Sequence, residues 1–131
     1  MGWEMYITKA ETWSESADNP ISSVEWLKLV EEDEELSLNP RNGEFNAIWR
    51  GESEHIDPWL DWNRGCVYSK QPDVALYCKM LQIAERLNAK VLDEDDREYV
   101  LPSDLLNPSW AKSAMLKRMS LWERFVAMLK K

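Results

Sequence analysis

The chain is short of cysteine, glycine and histidine, and it has no long apolar run. Two cysteines, Cys66 and Cys78, are too few for a disulfide scaffold. They lack C-x-x-C spacing and have no histidine nearby in sequence, so zinc binding and thiol catalysis find no support. Both read as small buried hydrophobes. Four glycines stand singly, which excludes a P-loop or a G-x-G-x-x-G turn. His55 is the only histidine, so any histidine-dependent mechanism must use it. It sits in Glu52-Ser53-Glu54-His55-Ile56-Asp57 with no partner spacing and reads as an exposed loop residue. No apolar stretch is long enough to span a bilayer, and no secretory pattern opens the chain. Position 6 is Tyr, so the myristoylation pattern fails as well. The expectation is a cytoplasmic protein with reduced thiols. No G-x-S-x-G is present, and the many carboxylates show abundance without arrangement. The expectation is therefore a non-enzyme without cofactor or metal.

What the chain has is acid and tryptophan. Its 131 residues suit one domain, and 44% hydrophobic content with eight Trp is ample for a packed core. A net charge of −8 disfavours nucleic acid and anionic membranes and attracts basic partners. The charge is unevenly spread. Residues 1–104 hold 10 Lys/Arg against 23 Asp/Glu, whereas residues 105–131 hold 6 Lys/Arg and only Glu123. Acids concentrate in Glu31-Glu32-Asp33-Glu34-Glu35 and in Asp93-Glu94-Asp95-Asp96-Arg97-Glu98. Such runs are either solvated faces or surfaces that pair with a basic partner.

The clearest element is a helix from Pro72 toward Val91. Leu76, Met80, Ile83, Ala84 and Leu87 form one helical stripe. Pro72 suits the first turn, Asp73 favours the positive end of the dipole, and Asn88 tolerates a left-handed cap. Ala89-Lys90-Val91-Leu92 then runs into a strand. Lys79 has no explanation in this pattern.

Upstream, Trp3, Met5 and Ile7 alternate with Glu4, Tyr6 and Thr8, as in a strand with one apolar face. Residues 14–20 read as a loop. Ser22 and Glu25 have capping-box spacing, with Ile21 and Trp26 at staple positions. Val24, Leu27 and Val30 supply the inward stripe of that helix, which Trp26 and Leu29 widen. The helix should end within the acids at 31–35, which crowd the negative end of its dipole. Pro40 and Asn42-Gly43 mark a turn. Phe45, Ala47 and Trp49 share one strand face, and residues 51–58 form a polar loop. Trp59-Leu60-Asp61-Trp62 and Cys66-Val67-Tyr68-Ser69 flank Asn63-Arg64-Gly65, a hairpin connection. Val91-Leu92 and Tyr99-Val100-Leu101 bracket the second acidic run, as either a hairpin with an acidic tip or a strand and a loop.

A last helix starts near Pro108. Its stripe of Met115, Met119, Trp122, Val126 and Leu129 is set among Lys112, Lys117, Arg118, Arg124, Lys130 and Lys131. The segment 103–131 packs on the domain, docks on another protein or lies on a membrane surface.

The expected fold is α+β: a mostly antiparallel sheet of four to six strands packed against two or three helices, ordered β-α-β-β-(β)-α-β-(β)-α, in a single domain over 1–131. Trp26, Trp49 and Trp122 fall on apolar faces and belong to the core. Trp59 and Trp62 lie on opposite faces of their strand, so one of them is a candidate interface anchor.

One resemblance adds to this reading. It rests on Met5-Tyr6-Ile7-Thr8-Lys9-Ala10-Glu11 with Trp13, and on Asn19-Pro20-Ile21 before Glu25-Trp26. It continues through Pro72-Asp73 leading to Lys79-Met80 and Ile83-Ala84, then Leu87-Asn88-Ala89-Lys90-Val91, then Asp95-Asp96 with Glu98-Tyr99. With these features the chain resembles small acidic bacterial immunity proteins encoded beside polymorphic toxins, contact-dependent or type VI secreted. Asn88 stands where that pattern has Gly. The resemblance touches most of residues 5–100 and, in 103–131, only a basic Trp-containing tail. It implies binding rather than catalysis, with a cognate toxin domain held and neutralised in the cytoplasm. The acidic excess fits a basic toxin such as a nuclease. The candidate partner-binding residues are Glu31, Glu32, Asp33, Glu34, Glu35, Trp59, Trp62, Asp93, Glu94, Asp95 and Asp96. The alternative is a peripheral membrane or scaffold adaptor acting through the basic terminal helix.

Overall fold

A computed structural model describes residues 3–106. The expected terminal helix and the core role of Trp122 lie outside the described residues. The fold is α+β, with a seven-stranded sheet in which every pairing is antiparallel. The strands are β1 (Glu4–Thr8), β2 (Leu36–Leu38), β3 (Ala47–Trp49), β4 (Trp59–Asn63), β5 (Cys66–Lys70), β6 (Lys90–Asp93) and β7 (Glu98–Tyr99). Their spatial order is β2-β3-β4-β5-β1-β6-β7. Two longer helices, α1 (Ser23–Glu32) and α2 (Val74–Arg86), are followed by one turn of helix, α3 (Ser103–Leu106).

The strand count exceeds the expected range by one. The extra strand is β2, which pairs Leu36 with Trp49 and Leu38 with Ala47. It has three residues, Leu36-Ser37-Leu38, directly after the acidic run, too few to stand out as an alternation.

One face of the sheet carries the core. Met5, Ile7, Leu60, Val67 and Val91 are all but fully buried there with Trp26, Leu76, Met80 and Ile83 of the helices. Each fully buried aliphatic side chain of this kind contributes about 1.5–3 kcal/mol. The helix boundaries follow local chemistry. Ser22 and Glu25 form the full capping box, with the Glu25 amide donating to Ser22 Oγ and the Ser22 amide to the Glu25 carboxylate. The α1 stripe keeps Val30 as expected, with Trp26 and Leu29 buried beside it, but Val24 is 72% exposed and Leu27 only half-buried.

Helix α2 starts two residues after Pro72. Asp73 is its N-cap and accepts from the Leu76 amide. Asn88 has φ 58, and the Ala89 and Asn88 amides donate to the carbonyls of Ala84 and Glu85. Those two bonds make a Schellman cap, with Asn in the left-handed position usually held by Gly.

Strand β1 is central and covered on both sides. Met5 and Ile7 face the helices, while Tyr6 is only 5% exposed on the other face. The expectation of a single apolar face was therefore incomplete. Trp13, from a single 3-10 turn (Trp13–Glu15), lies flat over Tyr6 with ring centres 4.6 Å apart and planes within 4°. This parallel contact adds to the area both rings bury. The loop that carries Trp13 is seated against the β4–β5 turn, where Gly65 has φ +90. A Cβ at Gly65 would lie 2.5 Å from Ser16 O, so this turn requires glycine for backbone and space alike.

Candidate functional site

The two acidic runs fold to different ends. In the first, the acids at 31–35 follow α1 into β2. Lys79 of α2 is 6% exposed, and its ammonium meets Asp33 at 2.8 Å and Glu35 at 2.7 Å. Arg86 adds a contact to Asp33 at 2.8 Å. Trp49 Nε1 donates to the same Glu35 oxygen at 3.1 Å. A buried lysine needs such partners, because an unpaired ammonium costs several kcal/mol in the interior. Burial raises the Asp33 pKa, but donors from Lys79, the Glu35 amide and Arg86 outweigh it, and the group ends below the usual carboxylate range. Lys79 and then Trp49 lower Glu35 in the same way. The cluster thus ties α1, β2, β3 and α2 together. Asp33 is turned inward, while Glu31, Glu32, Glu34 and the outer part of Glu35 remain at the surface.

The second run forms a β6–β7 hairpin with an acidic tip. Asp93 is buried, and its carboxylate accepts from the amides of Asp95 and Arg97 and from the Tyr99 hydroxyl at 3.1 Å. It organises the turn. The next acids point toward β1. Glu94 accepts from the Glu4 amide at 3.0 Å through its side chain, and its carbonyl accepts from Trp13 Nε1 at 2.9 Å. Asp96, at φ 63, accepts from the Trp13 amide at 2.9 Å. Together they clamp Trp13 over Tyr6. Asp95 is exposed.

That clamp builds one wall of a groove of about 440 Å³ on the face of the sheet away from α1 and α2. Its floor is Tyr6, Cys66 and Tyr68, with Trp13 and Ser14 on one side and Arg64 at the hairpin turn. Glu4 lies at the opposite end and accepts from the Tyr6 hydroxyl at 2.6 Å. Burial first, and then Glu4, push the Tyr6 phenol well above its ordinary pKa, so Tyr6 stays a neutral donor. Tyr68 continues the floor, tilted against Tyr6 at 6.3 Å and meeting Trp59 edge-on at 5.6 Å. Beside it, Asp61 faces Tyr68 across β4 and β5. Asn46 reaches Asp61 at 3.4 Å, and its buried Oδ1 has no partner among the described residues.

The two candidate tryptophans separate as their spacing predicts. Trp62 packs against the core, meets Phe45 edge-on at 4.8 Å and donates to Ile21 O at 2.8 Å, a structural post. Trp59 is half-buried on the groove face. His55 is exposed, with Nε2 at 2.9 Å from Gln71 O. The loop around it is held by Asp73, which accepts from Ser53 Oγ and the Glu54 amide. Cys66 is buried, and burial raises its thiol pKa; Cys78 is half-buried, and both are free thiols. Among the described residues no His, Cys, Asp and Glu side chains converge as a metal set, and no helix is long and apolar enough to cross a membrane.

Glu4, Tyr6, Trp13 and Tyr68 were not among the candidates from sequence. One signal could have found them. The alternate positions of β1 and β5, opposite Ile7 and Val67, carry Tyr6 and Tyr68, and two paired aromatic positions opposite a core face mark a second covered or contacting surface.

No protein-family model, curated protein or solved structure matches this chain.

Proposed function

We propose that this protein is an inhibitory binding protein of the immunity type, which neutralises a cognate bacterial toxin domain by covering it. The observation that carries this reading is the aromatic groove on the face of the sheet away from α1 and α2, edged by Glu4 and by the exposed acids of the β6–β7 tip. Aromatic side chains beside carboxylates suit a basic protein surface. The rings supply contact area at low entropic cost, and the charges speed encounter. The acidic excess of the chain and its sequence resemblance to immunity proteins support the same reading. Within it, Glu94, Asp95 and Asp96 flank the contact and Trp59 extends it. Asp33, Asp93 and Trp62 act by holding the fold. Glu31, Glu32, Glu34 and Glu35 contribute long-range charge from another part of the surface.

Co-expression with the product of the neighbouring gene tests the function. The proposal expects that product to arrest growth alone and to be silenced by this protein. A neighbouring product that is harmless, or that stays toxic in the presence of this protein, contradicts it.

A further inference from the structure

We infer that the groove over Tyr6 and Tyr68 is a subsite for one cationic side chain, an arginine or lysine of the bound partner, seated between Trp13 and Glu4. This deepens the proposed function and rests on that reading only for who supplies the cation.

Three features of the groove point to a cation. Its open aromatic surface is that of Trp13 and Tyr68, with Tyr6 buried beneath Trp13, and aromatic faces attract ammonium and guanidinium groups by about 0.5–2 kcal/mol. A carboxylate, Glu4, stands at one end, and among the described residues it makes no ion pair; its hydrogen bond is from the neutral Tyr6 hydroxyl. The acceptors continue outward. Glu94 is bonded to the Glu4 amide, and Asp61 faces Tyr68 across β4 and β5.

Two cations also border this face, Lys70 and Arg64. Lys70 is exposed opposite Glu4 on β5. Arg64 lies beyond Cys66, so the stretch of β5 from Lys70 to Cys66, about 13 Å at about 3.3 Å per residue, separates it from the Glu4 end. Lys70 stands at the Glu4 end, where the carboxylates of Glu4 and Glu94 outnumber it, whereas Arg64 stands at the hairpin turn, so the groove is acceptor-rich toward Glu4 and Glu94. A ligand cation belongs at the Glu4 end.

Titration of the full chain with N-acetyl-Gly-Arg-Gly-amide, followed by NMR at the assigned Trp13 indole Nε1–H and the Tyr68 ring, tests the subsite. The same peptide with citrulline serves as the uncharged comparison. Saturable shifts at both reporters are expected for arginine, at least about fivefold weaker for citrulline and for Glu4→Gln, in line with loss of one charge–π contact. Equal shifts with citrulline, or shifts that Glu4→Gln leaves unchanged, overturn the inference. So do Overhauser contacts in the free chain that place residues 107–131 against Trp13, because the chain's own tail would then be the occupant. Arginine binding without toxin neutralisation leaves the subsite standing and removes the immunity function. Neutralisation without shifts at Trp13 does the reverse.

Discussion

Residues 31–35 and 93–98 are nearly equal in acidity, yet the fold uses them in opposite ways. The first run supplies counter-ions to a buried cation: Asp33 and Glu35 close on Lys79 and Arg86, so its charge is partly cancelled inside the molecule. In the second run Asp93, Glu94 and Asp96 accept from backbone amides, the Trp13 indole and a tyrosine hydroxyl. Its carboxylates shape a turn and hold Trp13 in place. Acidity in a sequence therefore does not distinguish a cross-link from a surface; the cation across the fold does.

The comparison breaks most visibly at its inward-facing members. Asp33→Ala strands Lys79 with one half-exposed partner and is expected to cost about 3–5 kcal/mol in urea unfolding, whereas exposed Glu34→Ala stays within about 0.5 kcal/mol. Next comes Asp93→Ala, which leaves two amides and the Tyr99 hydroxyl without this acceptor. A loss of about 2 kcal/mol is expected, against about 0.5 kcal/mol or less for Asp95→Ala.

Acid sharpens the contrast. Asp33 and Glu35 have pKa values depressed by the fold, so the unfolded chain binds their protons more tightly. The stability they contribute is complete above the unfolded carboxylate range of about 4 and is lost as pH falls through their lower folded values. The urea midpoint should therefore drop between about pH 5 and pH 3, within the range where such carboxylates titrate. Lys79→Met should flatten this dependence, because it removes a chief cause of both depressions. An equally steep profile in Lys79→Met would assign the acid sensitivity elsewhere. A smaller effect than that of Asp93→Ala belongs to Asp96→Ala. It releases the Trp13 backbone amide at a cost of about 1 kcal/mol, read as faster solvent exchange of that amide.

Much of this fold was legible in the sequence, and the parts that were not share a cause. Helix α2 carries its stripe, its N-cap and its left-handed Asn88 within a continuous stretch, so local periodicity revealed it. The Ser22–Glu25 box was equally local. Strand β2 was hidden because its stability comes from pairing with β3, not from its own three residues. Lys79 was inexplicable from its neighbours because its partners lie 46 and 44 residues away. The groove was missed for the same reason. Tyr6, Trp13, Tyr68 and Glu94 meet only when β1, β5 and the β6–β7 tip come together.

The central claim is that the contacting surface lies on the groove side, with the second run, and not at the first. The most direct test is the association rate with the neighbouring gene's product at low and high salt, comparing Asp95→Lys with Glu34→Lys. Both residues are exposed, and both substitutions change charge by the same amount. The account predicts that Asp95→Lys slows association at low salt by at least about threefold, that added salt erases the difference, and that Glu34→Lys stays within about twofold of the parent. A Glu34→Lys effect as large as that of Asp95→Lys, or larger, would contradict it.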